Sequence, residues 1–466
     1  MKANPFTFGN PITNAARFVG RAHQIEQVYS RLRNVEFESS SIVGERRMGK
    51  TSLLYHLADT QVSRAHGLDP ERYHFVYVDL ALVDAMTTPA RLWQYLLGRL
   101  KTLAPAIEID AQEIALDNFA LAEFFDRLDA QGQYVVLLLD EFENVTRNAN
   151  FGPDFFYGLR SLAIHHKLAL ITSSRRELIE LTHSDEIRSS PFFNIFANIN
   201  VRLFNAEQAR QLIANALEDD TICFDENEIA ALLELAGPHP FFLQAASHFL
   251  YEAYAQNLNE PARANFWQRE FRKQAAPHLA EYWRQSDDKE KIVLAALALL
   301  EQPASAREFD AKQLRALYAR SERVLAHLDK RGLVRRRQEQ FVPFSAFFGE
   351  WILSALPEQT FDLDSGASIP FMQALQTALD QPELSDASNA NDVQELPAGL
   401  SPREVQVLEL VAAGMSDAQV AQKLVLSPRT VSTHLQSIYN KLGVNSRVAA
   451  TRFAIEHRLV KKSPKK

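Results

Sequence analysis

Eight consecutive residues, Gly44-Glu45-Arg46-Arg47-Met48-Gly49-Lys50-Thr51, constrain this chain more than any other feature in it. They match G-x-x-x-x-G-K-[ST], and their setting is the one that this spacing needs. SSIVG (40–44) reads as a buried strand entering a glycine-bracketed loop, and a helix follows from Lys50 to about Asp59. In that setting the loop N–H groups turn inward around a β-phosphate, and the helix aims its N-terminal dipole at the anion. Lys50 supplies a point charge for the β- and γ-phosphates, and Thr51 supplies a hydroxyl for Mg²⁺. Residues 44–51 and the adjoining Ser52 are therefore nucleotide-contact candidates.

YVVLLLD (134–140) is the strongest buried-strand signal, apolar on both faces. It ends in Asp140, placed to join a magnesium shell with Thr51, and Glu141, placed to polarise water as a general base. Alone, the two acids read equally well as the N-cap and first turn of the next helix. YHFVYVDL (73–80) and KLALITSS (167–174) are further strands. The last ends at Ser173, which either touches the γ-phosphate side or is merely a polar strand end. Arg175, Arg176 and Arg160 are candidate charge stabilisers or ordinary surface arginines. Helical patterns at 22–34, 89–104 and 119–130 separate the strands, which implies a parallel sheet covered on both faces.

After about Asn205 the pattern becomes helical: 205–217, 227–237 and 239–256 are amphipathic, and further helices from 287 lead into a short hairpin near 329–345. Three helices and a hairpin make a winged-helix pattern. Residues 357–396 hold eight acids and no Lys or Arg, which reads as a solvated linker with one possible helix at 370–380.

From residue 396 onward there are 11 Lys+Arg against 4 Asp+Glu, while the rest has 39 against 54. A basic module on an acidic body points the module at a polyanion, although four of those charges are the terminal lysines 461, 462, 465 and 466. One cysteine, Cys223, excludes an intramolecular disulfide and a thiolate metal cluster, and suits a reducing cytoplasm. No apolar run is long enough to span a membrane, and MKANPFTFGN lacks a signal-peptide core, so a cytoplasmic location is expected.

Taken together, NPFTFGN, FVGR (18–21), GERRMGKTSLL (44–54), VVLLLDEFE (135–143), LALITSSR and GPHPFFLQ (237–244) resemble the STAND class of AAA+-related P-loop ATPases, in its archaeal-type branch. The resemblance covers roughly residues 5–350. It implies ATP/ADP and Mg²⁺ as cofactors, with base and ribose near Phe18, Val19, Gly20 and Arg21. Pro240 would lie across from them in a helical lid. It also implies a winged helix that clamps nucleotide, although Arg335, Arg336 and Arg337 at the wing leave a DNA-reading winged helix open, and a slow switch between ADP-closed and ATP-open states. Large regulators of this class carry a helical-repeat sensor that is missing here, so the resemblance assigns no inducer site.

The last module begins at Ser401-Pro402 with Glu404 following, an N-cap, N1 proline and N3 acid. Val405, Leu408, Leu410 and Val411 form its apolar face, and Ser416 caps a second helix with Val420 inward. A third helix, Arg429 to Leu442, turns Val431, Leu435 and Ile438 to the core. That leaves Arg429, Thr430, Ser432, Thr433, Gln436 and Lys441 for solvent or DNA. The segment resembles the LuxR-type (GerE-like) helix-turn-helix family along its whole length. That resemblance puts Thr430, Val431, His434 and Lys441 on signature positions, with His434 packing or touching phosphate, and implies dimers on paired half-sites of double-stranded DNA. Ser432 stands where many members have lysine.

The expected architecture is multidomain. An α/β P-loop core (1–205) is followed by a helical lid (206–286), a winged helix (287–356), an acidic linker (357–396) and an all-α helix-turn-helix domain (397–466). The expected function is an ATP-dependent transcription regulator with slow ATPase activity, self-associating on activation, without a membrane partner. The alternative is a DNA-stimulated ATPase that the helix-turn-helix only recruits.

Overall fold

The computed structural model describes residues 3–107, 116–181, 191–218, 220–302, 311–356, 359–361 and 369–380, with scattered C-terminal positions between 408 and 451. The chain separates into two compact units, Met1–Ser385 and Asp386–Lys466.

The first unit is organised by a parallel sheet of five strands: β1 (Ser40–Val43), β2 (Tyr73–Asp79), β3 (Tyr134–Asp140), β4 (Leu168–Ser174) and β5 (Ala197–Asn200), in the order β2-β3-β4-β1-β5. β4 thus lies between the loop-bearing β1 and the acid-bearing β3. The register pairs Val43 with Ser174 and Asp79 with Asp140, so the carboxyl ends of the strands share one edge of the sheet. Ligands of open α/β sheets collect at such an edge. The double-sided apolar character of β3 has a direct cause. Val135, Leu137 and Leu139 face α4 (Pro89–Leu103), α5 (Asn118–Ala130) and α7 (Pro153–His165), while Val136 and Leu138 face α1 (Ala22–Leu32) and α2 (Lys50–Ala58). Two smaller helices, α3 (Thr60–Ala65) and α6 (Glu143–Thr146), complete this half.

β5 was not expected. Its sequence, ANIN, is too short and polar to declare itself, and pairing with β1 makes it a strand.

The second half is helical. α8 (Ala206–Leu217) and α9 (Glu226–Leu235) start at reciprocal capping boxes, Asn205 with Gln208 and Asp225 with Glu228. α10 (Pro240–Ala255) has proline at its first turn and packs along α11 (Glu260–Gln285), a long helix that the apolar pattern did not reveal. α11 contains Pro277 and is rich in charge, which disguises its period. α12 (Asp288–Glu301), α13 (Ala311–Ala319), α14 (Glu322–Arg331) and the hairpin β6 (Val334–Arg337)–β7 (Gln340–Pro343) run in winged-helix order, followed by α15 (Ala346–Ala355). Within the segment read as a solvated linker, the helix allowed for at 370–380 forms as α16 (Phe371–Asp380), with Phe371, Ala374, Leu375 and Ala378 buried in the helical core. Its docking was not expected from the acid count; an apolar face on one short helix was enough to seat it.

In the second unit, Leu408, Val411, Val420, Leu435 and Ile438 are helical and buried, as the periodicity required. Leu410 is only half-buried. Ser416 caps as expected, exchanging bonds with Gln419.

Candidate functional site

A cavity of about 490 Å³ opens at the carboxyl edge of the sheet. On the sheet side it is lined by Arg46, Arg47, Met48, Gly49, Lys50, Thr51, Ser52, Asp140, Glu141 and Arg175. Phe18, Val19 and Arg21 contribute a second wall, and Pro240 of α10 a third. Most candidates read from sequence therefore meet in one place. Six do not line it, Arg160 and Arg176 among them. Gly44 sits beneath the loop, where an added Cβ would meet the Val201 carbonyl oxygen at 2.6 Å. Gly20, at φ +75°, faces Phe204 and Gln208. Glu45 turns its carboxylate away, and Ser173 is buried behind Asp140.

Asp140 is held on every side. Its Oδ2 accepts from Thr51 Oγ1 at 2.7 Å and from the Tyr77 hydroxyl at 3.2 Å. Its Oδ1 accepts from Ser173 Oγ and from the Glu141 backbone N–H at 3.1 Å. Ser173 is thus a positioning residue for the carboxylate rather than a cavity contact. Glu141 adopts a left-handed backbone at φ +52°, a strained choice for a side chain with a Cβ. Lys50 Nζ donates to the Gly44 and Glu45 carbonyls at 2.8 and 3.1 Å. Burial pulls its ammonium below the usual lysine range, and the carboxylates of Glu143, Glu45, Asp140 and Glu141 oppose that pull. Thr51 and Asp140 offer hard oxygens side by side, and Lys50 lies beneath a loop of amides. This donor set fits a magnesium–triphosphate.

Arg21 is the best-tethered residue of the second wall. Its guanidinium donates to Arg202 O at 2.6 Å and Met48 O at 3.1 Å, and lies 4.6 Å over the Phe204 ring. Burial lowers its pKa to about 10. Phe18 stacks on His56 at 4.4 Å.

Several lining residues escaped the sequence reading. Glu143 follows Asp140-Glu141 closely enough that a third acid could have been noticed. It is 4 % exposed, one oxygen accepts from Arg175 Nε at 3.1 Å, and the other has no hydrogen-bond partner. Arg175 is therefore held in the cavity wall by an ion pair. Tyr282, His278 and Glu281 come from α11, which gave no signal. Phe241 and Gln244 come from α10, with Arg47 stacked over Phe241 at 4.2 Å. The lead-in segment also crosses the cavity: Ile12 N donates to Ser52 Oγ at 3.0 Å and Thr7 N to Gln244 Oε1 at 3.3 Å.

Two hydrogen-bonded connections run from the loop into the helical half. The Tyr282 hydroxyl donates to Arg46 O at 2.8 Å, so His239, 3.1 Å away, must donate to that hydroxyl from Nε2. Burial, with Arg21 and Arg47 nearby, pushes His239 down to about 3, and it stays neutral. The second connection is ionic. Arg331 of α14 bonds Glu45 of the loop at 3.0 Å, Glu290 of α12 and Ser286 Oγ, all buried. Glu290 also accepts from Asp287 N as the capping box of α12, and its other oxygen lies 3.1 Å from His327 Nδ1.

Arg160 lies outside the cavity, and Arg176 offers its carbonyl to Ser174 Oγ. The DNA-contact candidates Arg429, Thr430, Ser432, Thr433, His434, Gln436 and Lys441 lie outside the described residues. Among the described residues no helix is long and apolar enough to cross a membrane.

Parallel sheet, phosphate-binding loop and aligned carboxylate define a P-loop NTPase. The family model Novel STAND NTPase 2 matches residues 32–297, more than half of the chain, and the chain belongs to that family. The model of bacterial regulatory proteins, luxR family, matches residues 398–454. In that C-terminal stretch the chain is 46% identical over 61 residues to the probable transcriptional regulatory protein NarL of Mycobacterium tuberculosis, covering 13% of this chain and 28% of that protein. It is 44% identical over 61 residues to the Fimbriae Z protein of Salmonella typhimurium, covering 13% and 29%. The chain thus spans under a third of either relative. Among solved structures, the Walker-type ATPase of Pyrococcus abyssi matches with a TM-score of 0.48 and 16% identity, over 74% of this chain and 98% of that one. The ORC2 protein of Aeropyrum pernix matches with a TM-score of 0.49 and 15% identity, over 72% and 93%.

Proposed function

We propose that this chain is an ATP-dependent transcription regulator, in which nucleotide binding and slow hydrolysis switch the availability or dimerisation of its LuxR-type domain. One observation carries the reading: the cavity is shared between halves. Lys50, Thr51 and Asp140 form one wall, and Tyr282, Phe241 and Gln244 form the other. A ligand filling it contacts both and biases whichever arrangement it fits better.

In this reading Lys50 leaves its two carbonyl partners for the β- and γ-phosphate oxygens, and the loop amides cradle the β-phosphate. Thr51 and Asp140 would hold Mg²⁺, which draws charge from the phosphates when bound. Tyr77 and Ser173 fix the Asp140 rotamer. Glu141 takes the proton of an attacking water, and Arg175, anchored by Glu143, faces the charge that develops on the γ-phosphate. Phe18, Val19, Arg21 and Pro240 flank the base. Arg429, Thr430, Ser432, Thr433, His434, Gln436 and Lys441 meet double-stranded DNA, and the protein self-associates when active.

The test is a pair of measurements on the full chain. Fluorescent ADP and ATP analogues are titrated with and without Mg²⁺, and DNA sites are mapped genome-wide for wild type and Lys50→Ala. Magnesium-dependent binding, with site occupancy that changes in Lys50→Ala, supports the switch. No magnesium-dependent affinity, or identical occupancy, refutes it. Turnover well below about 10 s⁻¹ separates a switch from a motor.

A further inference from the structure

A second cavity of about 540 Å³, adjoining the nucleotide cavity at Phe204, lies where the segment leaving β5 meets α8, α9 and the first strand of the wing. Its charged lining is lopsided. Arg202, Arg335 and Arg336 face a single carboxylate, Asp329, which already pairs with Arg202 at 3.1 Å. Its remaining wall is mostly apolar, Phe204 and Leu233 included.

The two wing arginines are poorly neutralised. Arg335 has two acids near it: Glu234, 3.7 Å off and 61% exposed, and Glu301, which already pairs with Arg337. The Arg335 Nε is buried and has no hydrogen-bond partner. Natural structures leave few buried donors in that condition. Arg336 lies 4.8 Å over the Phe341 ring, which steadies its guanidinium without offsetting its charge. A cavity with an excess of cations, Arg335 half-buried and Arg202 and Arg336 exposed, beside an apolar wall suits an anionic head on an apolar body.

We propose that this cavity binds a small organic anion, a carboxylate or phosphate ester carrying an apolar group, and that it is the effector site of the protein. Arg335 and Arg336 receive the anionic oxygens, and Phe204 and Leu233 pack against the body. Phe204 also lines the nucleotide cavity. Arg21 lies over that ring and holds the carbonyls of both Arg202 and Met48, one in each wall. An anion that shifts Arg202 or Phe204 therefore disturbs the bonds that seat Arg21 beside the loop. The coupling rests on the nucleotide reading above, whereas the site itself does not.

Phenyl phosphate and benzoate are suitable probes, because one ring carries the two head groups in turn. Each is titrated calorimetrically into the full chain with ADP at saturation, and then into Arg335→Met and Leu233→Trp, which remove the cation and fill the cavity. At least one probe binds the wild type, inorganic phosphate binds more weakly, and each variant weakens the probe by about tenfold or more. Both variants keep wild-type thermal midpoints, and the bound probe changes ADP affinity about fivefold or more. Absence of binding by both probes, undiminished binding in both variants, or displacement of the probe by double-stranded DNA overturns the proposal. Displacement would make a nucleic-acid backbone the occupant. If ADP fails to bind, the nucleotide reading falls, and the effects of Arg335→Met and Leu233→Trp on the probe still decide the site.

Discussion

Replacing Arg331 with methionine tests the connection between the phosphate-binding loop and the winged helix most directly. The substitution keeps an unbranched stem of similar reach and deletes a guanidinium that is 7% exposed. Two carboxylates then lose their cation: Glu45, whose side chain is 7% exposed, and Glu290, at 1%. Breaking a buried ion pair by removing one partner costs about 3–5 kcal/mol, because the remaining charge stays desolvated. At roughly 1.2 °C per kcal/mol for a body spanning Met1–Ser385, the thermal midpoint falls by about 4–6 °C. The companion variant carries Glu45→Gln and Glu290→Gln as well. Glutamine can still accept from Arg46 N and Asp287 N, as the acids do now, so both local caps survive. Neutralising the cluster removes the charge penalty, and the triple variant recovers more than half of the lost midpoint. Thermal unfolding followed by circular dichroism, with ADP affinity measured alongside, reads both effects. A midpoint within about 2 °C of wild type for Arg331→Met, or a triple variant no better than the single, refutes the account of the cluster as an ionic tie.

The other expectations concern the same body. Gly237 has φ +69° and an added Cβ would sit 2.2 Å from the Phe344 carbonyl oxygen, so Gly237→Ala destabilises by about 2 kcal/mol or more in the same unfolding assay. Lys50→Ala weakens magnesium–ATP binding by about 10–100-fold in fluorescence titration, since charge-assisted bonds to phosphate are lost. Glu141→Gln keeps that binding and slows single-turnover hydrolysis by about 10²–10⁴-fold. Glu290 is depressed to about 2: burial alone would raise it, but His327 and Arg331 outweigh burial. Because the folded value lies below the ordinary 4.5, its stabilisation is complete above about pH 4.5 and drains away as pH falls toward 2. Thermal midpoints stepped through that window fall more steeply for wild type than for Glu290→Gln.

The sequence disclosed what local pattern controls. Apolar runs located β1 to β4, and the spacing of Gly49, Lys50 and Thr51 with a distant Asp140 marked the phosphate side of the cavity. It was silent where tertiary partners decide. β5 is a strand because β1 offers it an edge, and Phe371 is buried because the helical core offers it a socket. Tyr282 sits on a helix whose charges and Pro277 mask its buried face. Ser173 read equally as a γ-phosphate contact or as a mere polar strand end, and only the register of β3 beside β4 shows that it braces Asp140.

The positions that the loop motif leaves open are the ones least legible and most informative. A phosphate needs only the amides, the lysine and the hydroxyl, so the motif says nothing of Glu45, Arg46 and Met48. In this chain each is engaged with a distant partner. Glu45 pairs with Arg331, Arg46 offers its carbonyl to Tyr282, and Met48 offers its carbonyl to Arg21 while its methyl approaches Gly332. A loop that changes conformation to receive phosphate moves all three together. Their partners lie on α11, on α14 and at the start of α1, so the disturbance reaches elements that the motif never mentions. In the proposed switch, the amides, lysine and hydroxyl of the loop fix what is bound, and its other residues decide which part of the protein is told.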